Sequence, residues 1–221
     1  MSQSPGRRVD LVIFDCDGVL VDSERLAVRV ESALLGELGW AITEAEVLEQ
    51  FVGRSDAYMR DAIERGLGRA VPDWQEQYER RLHAAFRAEL VPVAGVATAL
   101  DQLTVPYCVA SSGTHEKMRL TLGLTGLLER FDGRMFSTTE VPNAKPAADL
   151  FLHAASRMKV HPDHCVVVED SKSGIAAARA AGMRSFGYAG GLTPAAWLEG
   201  PGTVVFDDMA DLISLIERTG L

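Results

Sequence analysis

The chain is constrained most by a stretch near its start, Leu11-Val-Ile-Phe-Asp15-Cys-Asp17-Gly18-Val-Leu20, in which apolar residues run directly into two carboxylates. The apolar run is too short for a typical helix and lacks the alternation of a half-exposed strand. We therefore predict a central strand, buried on both faces of a parallel sheet. The carboxyl end of such a strand lies at the edge where open α/β folds bind ligands. Placing the carboxylates of Asp15 and Asp17 there lowers the stability of the fold unless a cation or a reaction requires them.

The composition indicates one large domain, or one domain that carries an insertion. The 221 residues are 47% hydrophobic, which is enough to build a full core. The formal charge of −9, with no basic tract, argues against nucleic acid or an anionic membrane as a partner. We expect a soluble, cytoplasmic protein, because no signal-peptide pattern or membrane-spanning stretch is present. The scattered Cys16, Cys108 and Cys165 are expected to be reduced core thiols.

Hydrophobic periodicity divides the rest of the chain into a helical block and a region of mixed elements. Residues 22–90 contain only helical patterns, and we predict an all-helical cap domain there, with its third helix ending at Ile63. From residue 91 onward strands and helices alternate, and the last predicted helix runs from Met209 to Glu217. Residues 1–21 and 91–221 are therefore predicted to form a doubly wound α/β core around a parallel sheet.

Reactive side chains follow the predicted strands of this core or precede one of its helices. Besides Asp15 and Asp17 they are Ser111, Ser112, Gly113, Lys145, Glu169 and Asp170. The carboxyl ends of parallel strands meet at one edge, so we expect these groups to converge. The set fits phosphoryl chemistry: the carboxylates would hold Mg²⁺, the loop at 111–113 would bind phosphoryl oxygens, and the lysine would neutralise charge.

The order of these motifs resembles the haloacid dehalogenase superfamily of phosphohydrolases. The resemblance is to the branch with a helical cap after the first strand, which includes the β-phosphoglucomutases and phosphoglycolate phosphatases. Its four motifs begin at Asp15, Ala110, Lys145 and Val168, and together they span nearly the whole chain. Each motif alone is modest, but four of them in the right order on the right elements are specific.

The resemblance implies a distinct role for each acid. Asp15 would attack the phosphoryl group in line and form an aspartyl-phosphate. Asp17 would protonate the leaving oxygen and then activate water as a base. Mg²⁺ would be held by the Asp15 carboxylate, the backbone carbonyl of Asp17 and Asp170, with Glu169 as a candidate further ligand.

Some of these residues have simpler alternative roles. The resemblance gives Ser111 and Lys145 the task of orienting and neutralising the transferring phosphoryl group. Taken alone, Ser111 fits a helix cap and Lys145 fits a surface lysine before a helix begun by proline. Arg54 lies in a loop between predicted cap helices, where relatives carry substrate-contacting residues, and both substrate binding and a solvated arginine stay open. Histidines at 115, 153, 161 and 164 lack ligand spacing, which favours surface or capping roles.

We expect a Mg²⁺-dependent phosphatase that acts on a small phosphorylated metabolite, such as a sugar phosphate or phosphoglycolate, as a monomer or weak dimer. A β-phosphoglucomutase-like mutase is the alternative. It is weakened because Ala27 stands where relatives acting on sugar phosphates often carry a histidine. A phospho-aspartate receiver is a more distant alternative, because receivers lack a helical insertion and are much shorter than this chain.

Overall fold

A computed structural model of the protein describes residues 8–51 and 56–219. The strands are β1 (Leu11–Phe14), β2 (Tyr107–Ser111), β3 (Met135–Ser137), β4 (Cys165–Glu169), β5 (Arg184–Tyr188) and β6 (Thr203–Phe206). The helices are α1 (Ser23–Leu38), α2 (Glu44–Phe51), α3 (Asp56–Leu67), α4 (Trp74–Glu89), α5 (Val96–Gln102), α6 (His115–Leu124), α7 (Asp149–Met158), α8 (Lys172–Ala180) and α9 (Leu212–Thr219). None of the described helices is both long and apolar enough to cross a membrane.

The six strands form one parallel sheet in the order β3-β2-β1-β4-β5-β6. The chain builds outward from β1 to β3 and then returns to place β4 on the other side of β1, so the predicted doubly wound α/β fold is confirmed. The point where the order reverses lies between β1 and β4, where such sheets bind ligands. In the register, Phe14 pairs with Val109 on one side and with Val168 on the other. Residues that follow β1 therefore lie between the ends of β2 and β4.

The central strands are buried on both faces, which explains their unbroken apolar sequence. All four residues of β1 are fully buried, and so are Val166 to Val168 of β4. One face of the sheet packs against helices α7 and α8. Its core is built from Leu11, Ile13, Cys108, Ala110, Phe136, Leu150, Phe151, Ala154, Ala155, Cys165, Val167, Ala177, Ala178, Ala181 and Met183. The three cysteines are free and buried, as expected for reduced core thiols.

The described residues divide into two compact units, one of which is Ser23–Leu90. Within the described part of this unit the regular elements are the helices α1 to α4 alone. Thr43 caps α2: its hydroxyl accepts the N–H of Glu46, whose carboxylate accepts the N–H of Thr43. The other unit holds the sheet, and Asp22 belongs to it, because its N–H donates to the carbonyl of Val91.

Two predicted helix bounds are wrong. Helix α3 continues one turn past Ile63 to Leu67, where Gly68 with a φ of +64° ends it. The segment that begins at Met209 is a 3₁₀ turn rather than an α-helix, since the Asp208 side chain accepts the N–H of Ala210, and α9 begins only at Leu212. Hydrophobic periodicity alone does not distinguish a 3₁₀ turn, such as the one at Met209, from an α-helix.

Candidate active site

The two acids that follow β1 lie in a short extended segment that ends in a tight turn. The N–H of Asp15 still donates to the carbonyl of Val168, at 2.9 Å, so Asp15 continues the parallel ladder. Gly18 has a φ of +73°, which suits glycine and lets the chain turn directly after Asp17. Cys16, between the two acids, is buried, and its Sγ lies 3.9 Å from the Thr121 hydroxyl oxygen. Asp15 and Asp17 thus precede a turn at the sheet edge, as the sequence predicts.

Three carboxylates meet where β1 and β4 end. Oxygens of Asp15, Glu169 and Asp170 lie within 4.8 Å of one another, and all three residues are buried. Gly18 makes room for this cluster, because a Cβ on that glycine would lie 1.9 Å from Oδ2 of Asp170. Buried acids this close together repel one another, so the site requires positive charge.

Lys145 supplies part of that positive charge. Its ammonium donates to Oδ1 of Asp15 at 2.5 Å, to Oε1 of Glu169 at 2.7 Å and to the carbonyl of Ala110 at 3.3 Å. Burial acts to lower the pKa of Lys145, but the charges of the two carboxylates outweigh it and leave the pKa raised. The side chain is 3% exposed, and three acceptors match its three N–H donors. Lys145 is therefore a saturated, permanently charged group.

Asp15 is poorly stabilised as an anion despite this lysine. Burial raises the pKa of Asp15 to about 7, with Lys145 opposing the shift and Glu169 adding to it. A cation close to a carboxylate favours its ionised form. A metal ion in the carboxylate cluster would therefore hold Asp15 ionised, and this is an electrostatic reason to expect one.

Glu169 is fixed by the start of helix α8. Its Oε2 accepts the N–H of Ser171 at 2.7 Å and the Ser171 hydroxyl at 2.9 Å, while Oε1 accepts from Lys145. Gly174 leaves the space for this carboxylate, because a Cβ there would lie 1.7 Å from Oε1. Both oxygens of Glu169 thus have protein donors, and they hold Lys145 in place.

The loop after β2 places backbone N–H groups at the start of α6. Ser111 is the last residue of β2 and is 1% exposed, and its hydroxyl accepts the N–H of Gly113 at 3.0 Å. Ser112 is exposed, and Thr114 caps α6 by accepting the N–H of Lys117. Because the N-terminus of a helix attracts anions, this loop is suited to phosphoryl oxygens.

Further polar side chains, not predicted from the sequence, brace this loop. The Ser137 hydroxyl donates to the carbonyl of Gly113 at 2.7 Å, and the Ser137 N–H donates to Glu140. Glu140 also contacts His115 at 2.7 Å and His153 at 3.0 Å, so these two histidines support the loop. The signal was present, because a serine followed three residues later by glutamate is a capping box.

Lys117 is a second lysine at the site and was not predicted from the sequence. Its ammonium lies 2.8 Å from Oδ2 of Asp17. The side chains of Lys117 and Asp17 are 35% and 24% exposed. No sequence pattern marks this lysine, since a single charged residue in the first turn of a helix is common. Arg54, the predicted substrate contact in the insertion, lies outside the described residues.

The chain is similar to known proteins in both sequence and structure. The family model of haloacid dehalogenase-like hydrolases matches residues 12–188. The chain is 33% identical to 6-phosphogluconate phosphatase of Escherichia coli over 181 residues, 81% of this chain and 82% of that one. Among solved structures, a haloacid dehalogenase-like protein of unknown function from Agrobacterium tumefaciens has a TM-score of 0.88 and 36% identity, covering 96% and 100% of the two chains. A Deinococcus radiodurans hydrolase of the same superfamily, solved with bound phosphate and sodium, has a TM-score of 0.83 and 30% identity, covering 96% of each chain.

Proposed function

Since the chain belongs to the haloacid dehalogenase-like hydrolases, we propose that it is a Mg²⁺-dependent phosphatase that forms an aspartyl-phosphate on Asp15. The observation that carries the proposal is the cluster of Asp15, Glu169 and Asp170 at the point where the strand order reverses, with the Lys145 ammonium bound to the first two. Four charged groups buried at a ligand-binding edge are typical of a catalytic site rather than of a structural one.

The cluster suits Mg²⁺. Asp15 and Asp170 offer buried carboxylate oxygens within 4.8 Å of each other, and oxygen donors are the ligands this ion prefers. Glu169 is the weaker candidate ligand, since both of its oxygens already accept hydrogen bonds from Lys145 and Ser171. The backbone carbonyl of Asp17 would complete the protein ligands. When bound, the ion supplies positive charge to Asp15 and to the transferring phosphoryl group.

Asp15 is the nucleophile of the proposed reaction. One of its oxygens is fixed by Lys145, and its backbone is fixed in the ladder by Val168. These contacts orient the second oxygen for in-line attack on phosphorus. The P–O bond to the leaving group breaks as the bond to the Asp15 oxygen forms, and an acyl phosphate results. Lys145 offsets the negative charge on Asp15 and on the phosphoryl group.

Asp17 is the general acid and base. It follows the nucleophile by two residues in an extended segment and is 24% exposed, so it lies toward the substrate side of Asp15. In the first half-reaction it gives a proton to the leaving oxygen. In the second it takes a proton from water, which attacks the phosphorus of the acyl phosphate and releases inorganic phosphate.

The loop of Ser111, Ser112 and Gly113 is the proposed phosphoryl-binding element. Ser111 accepts one hydrogen bond from Gly113, and its own hydroxyl hydrogen is left to donate to a phosphoryl oxygen. The bracing by Ser137 and Glu140 keeps the loop rigid before substrate arrives. Rigid donors cost less to organise when the phosphoryl group binds.

We assign the substrate to the small phosphorylated metabolites, of the sugar-phosphate or phosphoglycolate type. The relative named 6-phosphogluconate phosphatase supports this class. In this proposal Ser23–Leu90 forms the cap domain that selects the leaving group, and Arg54 belongs to that stretch of the sequence. We propose that the protein acts in the cytoplasm as a monomer or weak dimer, because every proposed catalytic group comes from one chain. A sugar-phosphate mutase is the second candidate.

The test is a panel of phosphorylated metabolites incubated with the purified protein and Mg²⁺, with release of inorganic phosphate as the readout. We expect release from several esters and its complete loss in Asp15→Asn, which keeps the size of the side chain. Circular dichroism of the variant provides the folding control. Mg²⁺-dependent turnover retained by Asp15→Asn would refute Asp15 as the nucleophile.

The same assay separates the phosphatase from the mutase. A hexose 1-phosphate is supplied with a trace of hexose bisphosphate, and both the isomer and free phosphate are measured. A phosphatase releases phosphate in proportion to the ester consumed. Conversion to the isomer with little free phosphate would favour the mutase instead.

A further inference from the structure

The two lysines at the site differ in how many of their hydrogen-bond donors the protein uses. Lys145 is 3% exposed and donates to three acceptors. Lys117 is 35% exposed, and Asp17 is the one acceptor that the described residues offer to its ammonium. An ammonium carries three N–H donors. Lys117 therefore has donors left for a ligand, whereas Lys145 has none.

The route of Lys117 to the site depends on a neighbouring glycine. A Cβ on Gly113 would lie 3.2 Å from Cδ of Lys117 and 3.3 Å from the Ser111 hydroxyl oxygen. The lysine stem thus passes closely over the phosphoryl-binding loop, and Asp17 anchors its end. The Lys117 side chain therefore links this loop to Asp17, the proposed general acid.

The charges around Lys117 keep it cationic. Its ammonium pairs with the Asp17 carboxylate at 2.8 Å, and a carboxylate at this distance favours the charged form of a lysine. The site contains four acids, at 15, 17, 169 and 170, against the two lysines. An incoming anion can therefore bind the Lys117 ammonium, which forms its ion pair with Asp17 and not with the buried carboxylate cluster.

We propose that Lys117 is a substrate-binding residue that selects phosphate monoesters whose leaving group carries a carboxylate. The inference rests on the proposed function, in which Asp17 faces the leaving oxygen. A cation 2.8 Å from Asp17 is then within reach of the leaving group rather than of the buried metal-binding cluster. A substrate carboxylate would accept from the ammonium donors that Asp17 does not use, and charge-assisted hydrogen bonds of this kind are strong.

The test measures binding of matched ligands that differ only in that carboxylate. Gluconate 6-phosphate is compared with glucitol 6-phosphate, and phosphoglycolate with 2-hydroxyethyl phosphate. Dissociation constants are measured by calorimetry with Mg²⁺ in the Asp15→Asn protein, so that no ligand is consumed. With Lys117 present we expect the acid of at least one pair to bind about tenfold more tightly or better than its neutral partner.

Lys117→Met in the same background should reduce that preference to about one, by weakening only the acid. Lys117→Arg should restore much of it, because a guanidinium keeps the charge. The matched control is Arg119→Met, which removes one positive charge from an exposed position of the same helix and should leave the preference unchanged.

Two results would overturn the inference. One is equal binding of acid and neutral ligand in both pairs while Lys117 is present. The other is a preference that survives Lys117→Met. Neither depends on turnover, so the phosphatase proposal fails separately, when the wild-type protein releases no phosphate from any ester of the panel.

Discussion

At the scale of single residues, the site is organised by which charges the protein neutralises itself and which it leaves for ligands. Lys145 is shared between Asp15 and Glu169, and the third carboxylate of the cluster, Asp170, lies against Gly18. The internal ion pairs are buried, so removing one partner leaves an uncompensated charge. Such sites lose both stability and activity when a single member is deleted.

Lys145→Met is expected to lower the free energy of unfolding by about 3 to 5 kcal/mol, because Asp15 and Glu169 would remain buried without their cation. Urea unfolding without Mg²⁺ measures the loss, and phosphatase activity should disappear with it. Lys172→Met is the control. Lys172 is exposed above the Trp197 ring, and its loss should cost less than about 1 kcal/mol. Equal losses in the two variants would contradict the buried ion pairs.

Glu31 provides a pH-dependent prediction away from the site. It lies in α1, 5% exposed, and its Oε1 has no hydrogen-bond partner among the described residues. Burial raises the pKa of Glu31 from 4.5 to about 7. Between these two pH values the unfolded chain ionises this carboxyl and the folded protein does not, so stability falls as the pH rises and levels off above 7.

Glu31→Gln removes this penalty. The variant should gain stability over the wild type as the pH rises from 5 to 8, with the difference widening by about 2 kcal/mol. Urea unfolding at the two pH values measures it. Glu49→Gln, on an exposed position of α2, should change the free energy of unfolding by less than about 0.5 kcal/mol at either pH. A difference for Glu31→Gln that does not vary with pH would show that the carboxyl ionises normally.

Residue-level prediction from the sequence worked where acids follow an apolar strand. Asp15, Glu169 and Asp170 were expected at one edge because strand ends converge, and they meet there. Lys117 could not be predicted in this way, since its contact with Asp17 depends on how the first turn of α6 approaches the turn after β1. Such long-range side-chain contacts leave no periodic signal in the sequence.

At the scale of elements, helix α8 fixes the geometry of the cluster through its first turn. Ser171 caps the helix and also holds Glu169, while Gly174 leaves the space that this carboxylate fills. The residues that begin helix α8 therefore also position a carboxylate of the site. A change that would normally improve a helix should damage this one.

Gly174→Ala tests this coupling. Alanine favours helix by up to about 1 kcal/mol over glycine, but its Cβ would lie 1.7 Å from Oε1 of Glu169. We expect the variant to be destabilised and to lose most of its activity as Glu169 releases Lys145. Gly36→Ala in α1 is the matched control, because a Cβ there meets nothing within 4 Å. It should raise the melting temperature and leave turnover unchanged, and the reverse order of stabilities would contradict the prediction.

Elements were predicted well where one pattern dominated. The continuous apolar run before Asp15 forms β1 of the structure, as expected. The order of strands in the sheet could not be derived, because pairing depends on the packing of helices rather than on any strand's own sequence. The turn at Met209 was mistaken for the start of a helix, since the Asp208 cap also fits an α-helix.

At the scale of the whole molecule, the buried acids should link stability to the metal ion. Mg²⁺ that binds only the folded protein raises the melting temperature with its concentration. We expect this shift for the wild type and its loss in Asp170→Asn, which removes a proposed ligand. Thermal unfolding over a series of Mg²⁺ concentrations, with Na⁺ at equal ionic strength as the control, measures it. An equal shift in the variant would show that the ion binds elsewhere.

The place where the helical unit is inserted has a consequence for how such a protein changes over evolution. The N–H of Asp22 bonds to Val91, and that of Val93 bonds to Leu20, so the outgoing and returning passages of the chain lie side by side. Because the two ends of the insertion lie side by side, its length does not affect the spacing of the strands in the sheet. The segment between them can be lengthened, shortened or exchanged for another while β1 and its acids keep their register. Under the proposed role of the insertion in selecting the substrate, replacing it would change the specificity and leave the catalytic residues in place.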